Sequence, residues 1–247
     1  AALRALVVFD QLAARLRLPT HRFRVHWLHA SCAITEGRFA DAEAALVRAE
    51  RVAEPLGDPM NSLLMTMLRG WMAYERGAWD SIGNALTAMG NYFPWADRVA
   101  KAVAPNLAWR RGESEAASAL MAEVPLADLR GLPRDEHWLI VCALWSLTAV
   151  QVDDRQRAAL LYELLRPHAA QNAYDDLLGT NLGSVSLYLG ALAGTLGRYA
   201  DALDHLREAR ARNLANEIRP GVLRAELEMA RVHLRRGEAD DLASCAR

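Results

Sequence analysis

Apolar residues recur at helical spacing along most of the chain, and the runs break at a glycine. Five runs end at Gly37, Gly77, Gly112, Gly197 and Gly237, and Asp153 holds the equivalent place in a sixth. Successive marks are 40, 35, 41, 44 and 40 residues apart. A second helix-like run follows each mark, as in GRFADAEAALVRA and GRYADALDHLREA. The pattern predicts a helix-turn-helix unit repeated along the chain, each unit about 34 residues long or somewhat more.

Aligning the units on the marks brings like residues into columns. Four residues before the mark stand Ala33, Ala73, Ala108, Ala149, Ala193 and His233. Seven before it stand Ala30, Gly70, Pro105, Ser146, Gly190 and Ala230, all small or compact. Five after it stand Ala42, Ile82, Ala117, Ala158, Ala202 and Leu242. Nine after it, within one residue, stand Leu46, Leu86, Met121, Tyr162, Leu206 and Ala246. Two antiparallel helices approach closely only where small side chains meet, and larger apolar residues one turn on fill the space beside the crossing. Glycine supplies the left-handed cap that turns the chain. No unit buries its own apolar face, so the units must stack. Pro105 lies inside a helical pattern and should kink it.

The segment GSVSLYLGALAGTLGRYADALDHLREARARN resembles a tetratricopeptide repeat through Gly190, Ala193, Gly197, Tyr199, Ala202 and Ala209. FRVHWLHASCAITEGRFADAEAALVRA is similar. The resemblance covers nearly the whole chain and implies an all-α, right-handed α-solenoid. The opening segment, with Ala5, Phe9 and Leu12, fits a second helix lacking its first, and DDLASCAR stops inside another second helix. Six helix pairs plus a leading helix give 13 expected helices, read as one superhelical domain over residues 1–247 cut from a longer protein. The stretch LPRDEHWLIVCALWSLTAVQVDDRQRAALLYELLRPHAAQNA, with the repeat after it, resembles the carboxy-terminal repeats of large bacterial signalling ATPases. These include cyclase-linked proteins and LuxR-type transcriptional regulators. The resemblance implies a regulatory sensor or scaffold arm whose output domain lies elsewhere.

Composition narrows the function. The chain has 247 residues, 52% hydrophobic and 24% charged, with a net charge of -1. It lacks the basic excess of a nucleic-acid binder. Between Arg198 and Arg247 ten arginines face nine acidic residues, a solvated and ion-paired balance. The three cysteines Cys32, Cys142 and Cys245 make no disulfide framework, and a reducing cytoplasm is expected. The most apolar stretch, WLIVCALWSLTAV, is shorter than the roughly 20 residues a membrane span needs. A signal-peptide pattern is missing at the start.

No phosphate loop, HExxH or GxSxG occurs, and neither an enzyme nor a cofactor is expected. His26, His29 and Cys32 could reach one side of a helix, but the repeat alignment assigns them to packing, so a metal is not expected. Asp135-Glu136-His137 after Pro133 fits the start of a helix, and Asp240-Asp241 fits a first turn. The first helices of such a stack line its concave side. That places Arg24, Trp27, Trp71, Tyr74 and Trp109 along a groove whose far end carries Arg224, Arg231 and Arg235. Asn106, Arg110, Leu147, Val150, Leu187 and Ala191 fall in the same inward register. A protein or peptide gripped by aromatic anchors, or neighbouring domains of the parent chain, is the expected partner; the alternative is that these aromatics pack against the next repeat.

Overall fold

The computed structural model describes residues 2–78, 95–175 and 179–237, with Ile82, Gly83, Leu86, Gly90 and Phe93 between the first two stretches. Leu242, Ala246, Cys245 and Asp240-Asp241 lie outside the described residues. The class is all-α. The helices in chain order are α1 (Ala2–Leu16), α2 (Pro19–Thr35), α3 (Phe39–Ala53), α4 (Pro59–Arg76), α5 (Ala96–Arg110) and α6 (Ser114–Ala122). They continue with α7 (Leu126–Arg130), α8 (Trp138–Gln151), α9 (Arg155–Leu165), α10 (Val185–Thr195), α11 (Tyr199–Ala215) and α12 (Arg219–Arg236). Two short strands, β1 (Asn172–Asp175) and β2 (Thr180–Ser184), pair between α9 and α10. Tertiary contacts divide the chain into two compact units: Ala1–Ala96 with Asp176–Thr180, and Asp97–Asp175 with Asn181–Arg247. An array whose members touch only their neighbours has no single core, so such a division suits either one array or two domains.

The six marks share one backbone conformation. Gly37, Gly77, Gly112, Gly197 and Gly237 have φ between 70° and 84°, and Asp153 joins them at 55°. After five of them the next amide bonds back to the alanine four residues before the mark. Arg38 donates to the carbonyl of Ala33, Ala78 to Ala73, Glu113 to Ala108, Asp154 to Ala149 and Arg198 to Ala193. This is the bond that closes a left-handed helix cap. The aligned small residues thus sit where the last turn closes. Asp153 performs the turn without glycine because a short acidic side chain tolerates this region. Asp153→Val should therefore cost about 2 kcal/mol, since a β-branched side chain crowds there. Asp153→Gly should stay within about 0.5 kcal/mol of the parent chain. Urea titration of both variants measures the difference, and equal losses would contradict the assigned turn.

In the first unit, α2, α3 and α4 share a core of Phe23, Trp27, Ala30, Ile34, Ala42, Leu46, Ala49, Leu64 and Leu68. The alanines of α3 let it lie close against α2. Asp58 starts α4 by accepting the Met60 amide at 2.9 Å, with Pro59 in the first turn. In the second unit, α10 is buried at every residue, and α8 nearly so. Both are apolar on all sides because neighbours cover them all round. α10 packs on α8, α9, α11 and α12. Its buried polar groups bond locally: Ser186 Oγ donates to the Ala169 carbonyl at 2.9 Å, and Tyr188 Oη to that of Leu182 at 2.7 Å.

Three features depart from a plain series of helix pairs. Pro105 does not end α5, which runs through it to Arg110. The short helix α7 is added after α6, outside the series of pairs. The β-hairpin occupies the longest interval between marks, the 44 residues from Asp153 to Gly197. Gly183, at φ 91°, permits the close approach of Asn213, whose Oδ1 accepts the Ser184 amide at 2.8 Å. No described helix is long and apolar enough to cross a membrane.

Candidate binding pocket

The residues of the expected groove fall into different surroundings. In the first unit Trp27 is buried, and its indole Nε1 donates to the Leu64 carbonyl of α4 at 3.4 Å. Gly179 lies against its ring, and Ser31 Oγ donates to the Gly179 carbonyl. Trp27 serves the core because ten residues before the turn, a first helix meets the first helix that follows it. Arg24 remains exposed, its guanidinium 5.4 Å from the Trp27 ring. Tyr74 is buried as well, and the half-buried Trp71 stacks on it with ring centroids 5.3 Å apart. Trp27 and Tyr74 therefore offer packed faces, the second of the two readings open to these aromatics.

The second unit gathers three of the expected residues. Trp109, Arg224 and Arg231 line one concave pocket with Arg110, Gln151, Tyr188 and Glu228. Leu147, Val150, Leu187, Ala191 and Leu227 supply its apolar wall. The cavity itself is small, about 90 Å³, and opens to solvent. Four first helices contribute, α5, α8, α10 and α12. Arg235 lies beside this lining: its Nη1 donates to Thr195 Oγ1 at 3.2 Å, and Asp153 is 3.9 Å from its Nη2.

A short relay orients one cation of the pocket. Arg110 Nε donates to Asn106 Oδ1 at 3.1 Å, and Asn106 Nδ2 donates to Gln151 Oε1 at 2.9 Å. Asn106 is fully buried, so the relay is held by packing on the side away from solvent. Glu228 is the one carboxylate of the lining, and Arg231 Nη1 donates to it at 2.5 Å. Burial pushes the Glu228 carboxyl above its ordinary range, and Arg231 opposes that shift. Three arginines and one glutamate line the pocket, an excess of positive formal charge that suits an anionic group.

Gln151 falls two residues before its mark, like Thr35, Glu75 and Arg110, and that register would have found it. Glu228 and Tyr188 share the position nine before the mark, which elsewhere holds Leu28, Leu68, Val103 and Leu144. A glutamate in an otherwise apolar column was the available signal. Among the described residues no three His, Cys, Asp or Glu side chains converge as a metal set. Burial raises the Cys142 thiol to about 12, which keeps it protonated and unreactive. The other buried polar pair of this unit joins His137 Nδ1 to Asp175 Oδ2 at 2.6 Å. No family model matches the chain, and no curated protein or solved structure shows significant similarity to it.

Proposed function

We propose that the chain is a non-catalytic interaction module of the tetratricopeptide-repeat type, a right-handed α-solenoid of about six helix pairs. It works in the cytoplasm as the sensor or scaffold arm of a multidomain bacterial signalling ATPase or transcriptional regulator. Its second-unit pocket receives a peptide segment that pairs a carboxylate with an apolar or aromatic side chain. The observation that carries the binding reading is the pocket lining: three arginines against one glutamate, beside Trp109 and an aliphatic wall. The arm reading draws its support from the turn conformation repeated at all six marks and from the resemblance of the repeats.

Calorimetry of the 247-residue chain against short acidic, aromatic-containing peptides tests the pocket. Arg224→Ala should weaken the binding about tenfold, the worth of one charge-assisted hydrogen bond. Trp109→Ala should do the same through lost stacking area. Affinities untouched by both would dismiss the pocket as the binding place. The mass of the native protein in its source cells tests the arm. A band several domains heavier than 27.3 kDa is expected. A band near that mass would favour a second reading, a stand-alone peptide receptor or adaptor, for which the same pocket would be the receptor site.

A further inference from the structure

We propose that a trough between α7 and α9 is the docking site for an acidic amphipathic helix of a partner protein. Its apolar lining is Leu126 of α7 with Ala159, Leu160, Leu164 and Pro167 on and just after α9. Arg130, Arg134, Gln156 and Glu163 complete it. From Gln156 to Pro167 the trough follows α9 for about three turns. The space is about 660 Å³, opens to solvent and shares no residue with the pocket described above.

The repeat itself does not call for this apolar surface. Leu160 and Leu164 stand seven and eleven residues after the mark Asp153. The same positions hold Ala44 and Arg48 after Gly37, Ala119 and Glu123 after Gly112, and Asp204 and Glu208 after Gly197. All six are exposed. Elsewhere, then, this face of a second helix belongs to water. α9 turns a different face, Ala158, Leu161, Tyr162 and Leu165, into the core. The second helices on either side of it in the series are both in place. Arg157 donates to the Val124 carbonyl just after α6 at 2.8 Å, and Tyr162 meets His205 of α11 with ring centroids 5.8 Å apart. α8, α10 and α7 pack on it as well. The trough is therefore open within a filled stretch of the fold. The added helix α7 makes its other wall, anchored by the fully buried Leu129 with Leu126 left 37% exposed.

Backbone chemistry and charge select the occupant. Both walls are helices, whose inner backbone groups are already paired. An extended segment laid between them would face apolar side chains with its own amides unpaired. A helix satisfies its own backbone and offers only side chains. The cations of the trough are uncompensated. Among the described residues neither Arg130 nor Arg134 forms an ion pair, and Arg134 lies 4.4 Å over the Trp138 ring. Glu163, the one carboxylate of the lining, stands 3.7 Å from Arg166, and Asp128 of α7 acts on Lys101 of α5. A helix with glutamates beside its apolar row complements both arginines. A second copy of this chain does not. The exposed apolar rows of its described helices lie on α1, with two arginines against one aspartate, and on α12, with five arginines against two glutamates.

The test uses the 247-residue chain and a fluorescent synthetic helix of about 14 residues, with a leucine row flanked by glutamates. Anisotropy should show saturable binding. Arg130→Glu with Arg134→Glu, both exposed positions, should weaken it at least about tenfold at an unchanged melting temperature. The same helix flanked by lysines should bind the parent chain at least about tenfold more weakly and recover on the charge-reversed variant. Arg224→Ala, in the other pocket, should leave the glutamate helix bound as before. Absent binding, indifference to the charge reversal, or a lysine helix that does not recover overturns the proposal. Loss of binding in Arg224→Ala also overturns it, by moving the helix to the other pocket. So does a dimer in sedimentation velocity, or adsorption to phosphatidylserine vesicles, that the charge reversal abolishes. Binding that vanishes in the natural full-length polypeptide would mean that a helix of that polypeptide holds the trough, and this too overturns it.

Discussion

Gly190→Leu is expected to destabilise the second unit by about 3 kcal/mol, with a fall in melting temperature of about 6–12 °C. Gly190 is the small residue at the crossing of α10 and α11. A Cβ built there lies 2.5 Å from Leu206 Cγ, 2.8 Å from Leu206 Cδ2 and 3.0 Å from the Ala202 carbonyl oxygen. The first contact is with the branch point of a fully buried side chain and the last is with backbone, so neither can swing aside. α10 is enclosed along its whole length, and the two helices must move apart to admit even a methyl group. Gly190→Ala should therefore lose stability as well, although alanine is the better helix former. Thermal melts followed by circular dichroism decide the matter. A melting temperature unchanged in the leucine variant would show that the repeat register, and the helix crossing drawn from it, is misplaced.

Asp175→Ala is expected to cost a further unit of similar size, about 3 kcal/mol. Asp175 sits at the end of β1, wholly buried, and its Oδ2 is 2.6 Å from His137 Nδ1 at the start of α8. Asp135 holds the same turn, accepting the His137 amide at 3.2 Å while Arg98 donates to its other oxygen. That guanidinium keeps the Asp135 carboxyl below the ordinary range, against the opposing effect of its own burial. Removing the Asp175 carboxylate leaves the buried imidazole facing a void, without the water that an exposed site would supply. The hairpin is tied to α8 chiefly through this pair and the packing of β1 on that helix. Hydrogen exchange should accelerate first in β1 and β2. A double-mutant cycle with His137→Ala should return a coupling of about 1–3 kcal/mol. Strictly additive losses would mean that the two side chains are neighbours without being partners.

The helix pairs were legible because their signal is local. A left-handed turn favours glycine or a short acidic residue, a close crossing demands a small one, and both recur at intervals of 35 to 44 residues. Gly37, Gly197, Ala193 and Gly190 announce themselves in this way, and even Asp153 could be placed by counting. The pocket was legible in part. Counting from the marks put Trp109, Arg224 and Arg231 on first helices, and the fold brings them to one lining. The same counting put Trp27 and Tyr74 on the inward side of their helices without deciding between a partner and the next repeat, and they are buried. A position on a helix fixes a direction, but whether another helix stands in that direction depends on residues elsewhere in the chain.

The hairpin illustrates the other kind of limit. NAYD and TNLGS have no strong alternation of apolar and polar residues, and nothing local requires them to pair. They pair because His137 and Asn213 give them a buried seat, and those residues lie far from the hairpin in sequence. Glu228 likewise gains its raised proton affinity from burial among other helices and its arginine partner from the next turn of its own.

The amino-acid sequence by itself determined the helical class, the six turns and the small residues at the crossings. Each of these follows from the conformational preference or size of a residue and its near neighbours. The tertiary structure decided which aromatics are covered, which arginines share a pocket, where the hairpin is seated and which leucines of α9 stay partly open to solvent. Burial and charge pairing are properties of what surrounds a side chain, and those surroundings exist only once distant segments have met.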